Sequence, residues 1–101
     1  MILEVAEIHV KDGTGKAFES ALQQAQPVLM GTEGYIRHEL RGSMEDENRY
    51  LLFVEWESLE AHLVNFRESE RYLEWRKIIS PFFAQSPLVE HFDVRVQAEK
   101  A

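Results

Sequence analysis

Residues 2–10, ILEVAEIHV, are rich in Val and Ile with charged residues interleaved, and DGTG follows as turn punctuation, which predicts a first β-strand. From Thr14 the period changes. Phe18, Ala21, Leu22, Ala25 and Leu29 recur at helical spacing, with Thr14 as the N-cap and Gly31 at the end. Pro27 has no N–H to donate and its ring crowds the preceding turn, so a break or kink is expected near Gln26. Gly34 then opens YIRHELRG, NRYLLFVEW follows, and the acidic stretch from Ser43 to Glu47 joins these β-rich runs into a hairpin.

The second helical region reads as split. Ser58 caps a first piece with Leu59, His62, Leu63 and Phe66 on one face. Ser69 caps a second piece, with Tyr72, Trp75, Ile79 and Phe82 on its inner side until Pro81 helps to stop it. LVEHFDVRV, residues 88–96, alternates as a last strand, with Leu88, Phe92, Val94 and Val96 on one face and Val89, His91, Asp93 and Arg95 on the other. The order is that of an α+β, ferredoxin-like βαββαβ fold, a four-stranded antiparallel sheet with both helical regions on one side. Its uncovered face carries large apolar groups among His, Glu and Arg, which suits a second copy of the chain better than open water and predicts a face-to-face homodimer.

Composition narrows the partners. At 101 residues and 45% hydrophobic, residues 1–101 make one domain with one core. A net charge of −7 disfavours nucleic acid and anionic lipid surfaces, which need clustered Lys and Arg. MILEVAEI has no basic flank and is interrupted by Glu4 and Glu7, so it predicts neither a signal peptide nor a membrane span, and a cytoplasmic location is expected. The absence of cysteine excludes disulfides, thiolate metal sites and cysteine nucleophiles. The histidines fall on separate elements without a His-x-x-x-His pair, so no metal site is expected.

GYIRHELRG, LLFVEWESLEAHLVNFRESERYLEWR, PFF and VEHF together resemble the antibiotic biosynthesis monooxygenase domain over nearly the whole chain. The most specific part is Trp56-Glu57-Ser58, then Glu60-Ala61-His62 and Phe66-Arg67-Glu68-Ser69. The resemblance implies a dimeric α+β barrel whose members include oxygenases acting on anthrones and quinols without metal or flavin, haem-degrading enzymes, and proteins with no assigned substrate. Anthrone-oxidising members use an Asn on strand three, the Trp that ends it, a Tyr six residues later and an Arg on the next helix. Trp56 and Arg76 match this pattern, whereas Leu52 stands at the Asn position and His62 replaces the Tyr. Haem-degrading members need an Asn in strand one and a helical His; strand one here offers Glu7, Trp75 stands near the His position, and no haem is expected.

A cofactor-free oxygenase needs an apolar slot for a planar ring and groups that favour a phenolate or enolate. Trp56, Phe66, Tyr72 and Phe82 are candidates for the slot, beside Leu52; His62 or His38 for accepting the proton; Arg76 for stabilising an oxyanion. Each has a plainer alternative. Trp56 as a core plug, His62 as a satisfied core histidine, Arg76 solvated or paired with Glu70 or Glu74, and Tyr72 with Trp75 as core or dimer packing all fit the same spacing. The function expected is a cofactor-independent, homodimeric monooxygenase of a small phenolic, quinol or polyketide-like aromatic. The alternative is a non-catalytic ligand-binding or stress-related dimer of the same fold.

Overall fold

The computed structural model describes residues 1–101. Strands β1 (Ile2–His9), β2 (Tyr35–Gly42), β3 (Arg49–Trp56) and β4 (Leu88–Phe92) form one sheet in the order β2-β3-β1-β4, with every pair antiparallel. Helix α1 (Gly15–Met30) and the later helical segments cover one face, giving the ferredoxin-like architecture. No helix is long and apolar enough to cross a membrane.

Strict alternation sorts the two central strands. In β3, Tyr50, Leu52, Val54 and Trp56 are buried while their odd-numbered neighbours are half-exposed, and Ala6 and Ile8 of β1 meet the same core. Phe18, Leu22, Ala25 and Leu29 supply the facing stripe of α1.

Three expectations are corrected. The break at Pro27 does not occur: α1 runs unbroken to Met30, and the Gln26 side chain donates at 3.4 Å to the Gln23 carbonyl, the acceptor that proline leaves unused. The fourth strand stops at Phe92. Its pairing ends with Phe92 opposite Leu3, and Val94 and Val96 beyond it are unpaired and exposed.

The first piece of the second helical region is a π-helical turn, Ala61–Phe66, with an Arg67 N–H to His62 carbonyl bond spanning five residues. This wider turn buries Ala61, His62 and Phe66 and leaves Leu59 and Leu63, predicted on the same face, exposed. Ser58 Oγ accepts the Ala61 N–H at 3.1 Å at its start. Gly34 sits at φ +92°, where a Cβ would come within 2.5 Å of the Ala61 Cβ, so glycine at the head of β2 is what lets the turn pack so close. Ser69 caps α2 (Glu70–Ile79), and a short 3₁₀ turn, Ser80–Phe82, follows.

Candidate active site

A cavity of about 590 Å³ lies between the covered face of the sheet and the π-turn with α2. Its floor is Glu4, Ala6 and Ile8 of β1, with Leu52 and Val89 beside them; Phe66, Tyr72, Trp75 and Ile79 form the opposite wall, and Phe83 closes one side. Arg67, Arg76, Ser80, Gln85 and Ser86 supply polar groups. Nine of the seventeen lining residues are hydrophobic, so an apolar ligand with a few polar substituents fits the lining.

Glu4 is the group that the surrounding chemistry least expects. It shares strand parity with Ala6 and Ile8, so its carboxyl points into the covered side and is only 7% exposed. The Trp56 indole donates to Glu4 Oε1 at 3.0 Å, and His62 Nε2 stands 3.3 Å from the same oxygen. The other nitrogen of that ring, Nδ1, lies 2.8 Å from His91 Nε2 on β4. With both imidazoles protonated on Nε2, His91 donates to His62 and His62 faces the carboxyl with its N–H, so one tautomer assignment satisfies the row. Glu4 and His91 meet opposite nitrogens of one ring. They make a line through His62 rather than a set converging on a point, which suits proton movement better than chelation.

Burial sets the charges. Loss of water raises Glu4 to about 7, against the lowering effects of the Trp56 N–H and the Arg67 cation. Burial, then the nearby His91 and Arg67, lowers His62 to about 3. His91 is lowered by burial and by Arg67. His62 is therefore neutral near pH 7, and its contact with Glu4 is a hydrogen-bonding approach rather than an ion pair. A carboxyl that titrates near neutrality can both take and return a proton at working pH; an imidazole pushed to about 3 is a poor base.

The sequence candidates divide. His62, Phe66, Tyr72, Arg76 and Leu52 line the cavity. Trp56 is fully buried behind it, its ring stacked on that of His62 at 5.2 Å and 17°, so it orients His62 and Glu4 without forming a wall. Phe82 turns away to pack on Phe18, leaving Phe83 at the cavity. His38 lies elsewhere, with Nδ1 2.5 Å from the Tyr35 hydroxyl and Nε2 2.8 Å from Gln26 Oε1. Both its nitrogens are thereby engaged. Arg76 pairs with neither Glu70 nor Glu74; it and Arg67 lie 5.9 and 5.6 Å from the Tyr72 ring.

Sequence reasoning passed over Glu4 and Arg67. Glu4 did carry a signal: in the even-numbered set Ile2, Glu4, Ala6, Ile8 and Val10 it is the one charge on an otherwise apolar face. Arg67 carried none beyond its place in the Phe66-Arg67-Glu68-Ser69 run, because a π-turn cannot be read from a helical period.

Comparison with known proteins agrees with this architecture. The model of the family described as antibiotic biosynthesis monooxygenase matches residues 1–78. An uncharacterized Bacillus subtilis (strain 168) protein, YczJ, is 46% identical over 92 residues, covering 91% of this chain and 97% of that one. A crystal structure from Bordetella bronchiseptica, named for the same family, superposes with a TM-score of 0.91 at 38% identity, over 94% of this chain and 97% of that one. SnoaB, a cofactor-independent oxygenase from Streptomyces nogalater, shares the fold at TM-score 0.84 and 17% identity, over 98% and 97% of the two chains. With the family model spanning most of its length and two relatives above the level at which kinship is secure, the chain belongs to the antibiotic biosynthesis monooxygenase family.

Proposed function

We propose that the protein is a cofactor-independent monooxygenase of a small phenolic or quinol-like aromatic, acting as a homodimer. The observation that carries this reading is the buried Glu4 carboxyl on the cavity wall, raised to about 7 and backed by His62 and His91. Glu4 accepts the substrate's phenolic or enolic proton, with His62 holding the carboxylate in place and His91 holding His62. The positive charge of Arg67, near enough to lower Glu4 and both histidines, favours the oxyanion that forms. This places on Glu4 the proton transfer expected of His62, and on Arg67 the stabilisation expected of Arg76.

The deprotonated ring is itself the reductant of O₂. In the overall reaction the substrate gives up two hydrogens and gains one oxygen atom, while the second oxygen leaves with those hydrogens as water. All four electrons come from the substrate, so the balance requires no flavin or metal.

Support for the dimer comes from the uncovered sheet face. Val5 pairs with Phe53 at its centre, flanked by the Glu7–Arg49 and Arg37–Glu55 ion pairs, and Leu88 and Phe92 of β4 stand 58% and 49% exposed. A ligand-binding dimer without turnover is the competing reading, favoured by the buried, apolar Leu52 on the cavity floor, which offers the substrate no hydrogen bond.

Oxygen-electrode turnover of metal-stripped protein against quinols, anthrones and catechols decides between them. The oxygenase reading expects uptake well above autoxidation, falling about a hundredfold or more in Glu4→Gln, the usual scale for loss of a general base. Background rates throughout would favour the binding dimer.

A further inference from the structure

Three elements build the row of groups that passes through His62. Register pairs Glu4 of β1 directly with His91 of β4, so the two side chains stand side by side on the covered face of the sheet. The π-turn lowers His62 onto them, with Nε2 3.3 Å from Glu4 Oε1 and Nδ1 2.8 Å from His91 Nε2. His62 is 2% exposed, and its ring lies 17° from the plane of Trp56 and 26° from that of Phe66. Such packing denies the ring a flip. A proton passes His62 only by entering at one nitrogen while another leaves from the opposite nitrogen.

Both ends of the row are open. Glu4 Oε2 and His91 Nδ1 have no hydrogen-bond partner in the chain, yet neither is sealed from a ligand or water; the sealed and unpartnered polar atom is Thr32 Oγ1. Glu4 lines the cavity, whereas His91 does not and is half-buried on an edge strand of the sheet. Two arrangements satisfy the row. With Glu4 ionised, both imidazoles carry their hydrogen on Nε2, directed towards the carboxylate. With Glu4 protonated, its O–H donates to His62 Nε2, His62 Nδ1–H donates to His91 Nε2, and the hydrogen on His91 Nδ1 faces out; Oε1 accepts the Trp56 N–H in either case. Arg67 at the end of the π-turn, and Tyr72 and Arg76 of α2, are the other charged or titratable groups facing this space, and none is a second carboxyl. Burial and Arg67 disfavour an imidazolium at His62 and His91, and the two arrangements interconvert without one.

We infer that Glu4, His62 and His91 form a proton relay that joins the cavity to solvent by a route other than the cavity itself, with His91 as its outer terminus. In the outward step the Glu4 O–H bond breaks as a His62 Nε2–H bond forms. The His62 Nδ1–H bond breaks as a His91 Nε2–H bond forms, and the His91 Nδ1–H bond breaks as water takes the proton. One proton leaves, and each imidazole stays neutral. The relay then stands in its other arrangement and carries only an inward proton, which resets it. Glu4 is thereby unloaded and reloaded while a ligand fills the cavity. This use rests on the oxygenase reading, whose overall reaction has no net proton change: a proton leaves as the substrate anion forms, and one returns as water is made.

Nitrogen-15 NMR of the ligand-free protein, labelled at histidine and followed from about pH 6 to about pH 8.5, reads the arrangement directly, because protonated and bare ring nitrogens resonate far apart. His62 and His91 should both change from Nδ1–H to Nε2–H at one midpoint near 7, that of Glu4, and in Glu4→Gln both should keep one tautomer throughout. Tautomers that stay fixed in the natural protein, a change that survives Glu4→Gln, or a change at His62 that His91 does not share overturns the proposal. In quinol turnover at pH 7, His91→Ala should lower the rate about tenfold or more, the low side of what loss of a proton-transfer group costs, and free imidazole should recover part of it. Altered packing would not be repaired in that way, so a loss that imidazole leaves untouched overturns His91 as the terminus. The tautomer change without oxygen uptake would leave the relay standing and remove the oxygenase; Glu4-dependent oxygen uptake with fixed tautomers would do the reverse.

Discussion

Glu4 and Glu7 stand three residues apart on one strand and meet opposite fates. Glu7 faces the uncovered side of the sheet, where Arg49 Nε donates to it at 2.7 Å and holds its carboxyl below the ordinary range, helped by His9. Glu4 faces the covered side, has no arginine within ion-pair reach, and is raised to about 7 by loss of water. Strand parity alone decides which is which. The uncovered face satisfies its charges among themselves, as Arg37 does with Glu39 and Glu55, whereas the covered face keeps one acid poorly solvated beside a cavity. Stability favours the first arrangement, so the second is where function is expected.

The contrast can be broken most forcefully at Glu4. A carboxyl raised from 4.5 to about 7 binds its proton more readily in the folded state, so between those pH values the fold loses stability as pH rises. At about 1.4 kcal/mol per unit the loss is on the order of 3 kcal/mol, complete above pH 7. Glu4→Gln keeps an oxygen for the Trp56 N–H and removes the titration. Its stability in urea, relative to the natural protein, should therefore grow by about that amount between pH 4.5 and 8. His62 and His91, whose lowered values make the fold less stable as pH falls below 6.5, are common to both proteins and cancel.

Next in size is the uncovered face itself. Phe53→Asp places a charge at the centre of the apolar patch opposite Val5. Light scattering at micromolar concentration should report a dimer of the 11.8 kDa chain for the natural protein and a monomer for the variant. A natural protein that is already monomeric would remove the homodimer. The smallest effect is expected at Glu7. Glu7→Gln keeps an acceptor for Arg49 and exchanges a half-exposed ion pair for a neutral hydrogen bond, so the urea midpoint at pH 7 should move least of the three.

The succession of elements along the chain and the buried stripe of α1 were legible because periods of 2 and 3.6 repeat over β1, β3 and α1. What failed was local and depended on neighbours. β4 ends at Phe92, where its pairing with Leu3 of β1 stops, a fact of pairing absent from LVEHFDVRV itself. Leu59 and Leu63 leave the buried face because the turn widens at His62, and Pro27 is tolerated because Gln26 reaches Gln23. The site was legible in part. His62, Phe66, Tyr72, Arg76 and Leu52 meet at one cavity, whereas His38, alike in composition, spends both nitrogens on Tyr35 and Gln26. Glu4 was visible as the acid on an apolar strand face, but only burial gives that position its chemistry.

The most direct test is a titration of the glutamate side-chain carboxyls by carbon-13 NMR in the ligand-free protein, with Glu4→Gln used to assign the Glu4 signal. The Glu4 midpoint is expected near 7 and the Glu7 midpoint below 4.5. A Glu4 midpoint at or below 4.5 would show an ordinary surface-like carboxylate and contradict its role as the base.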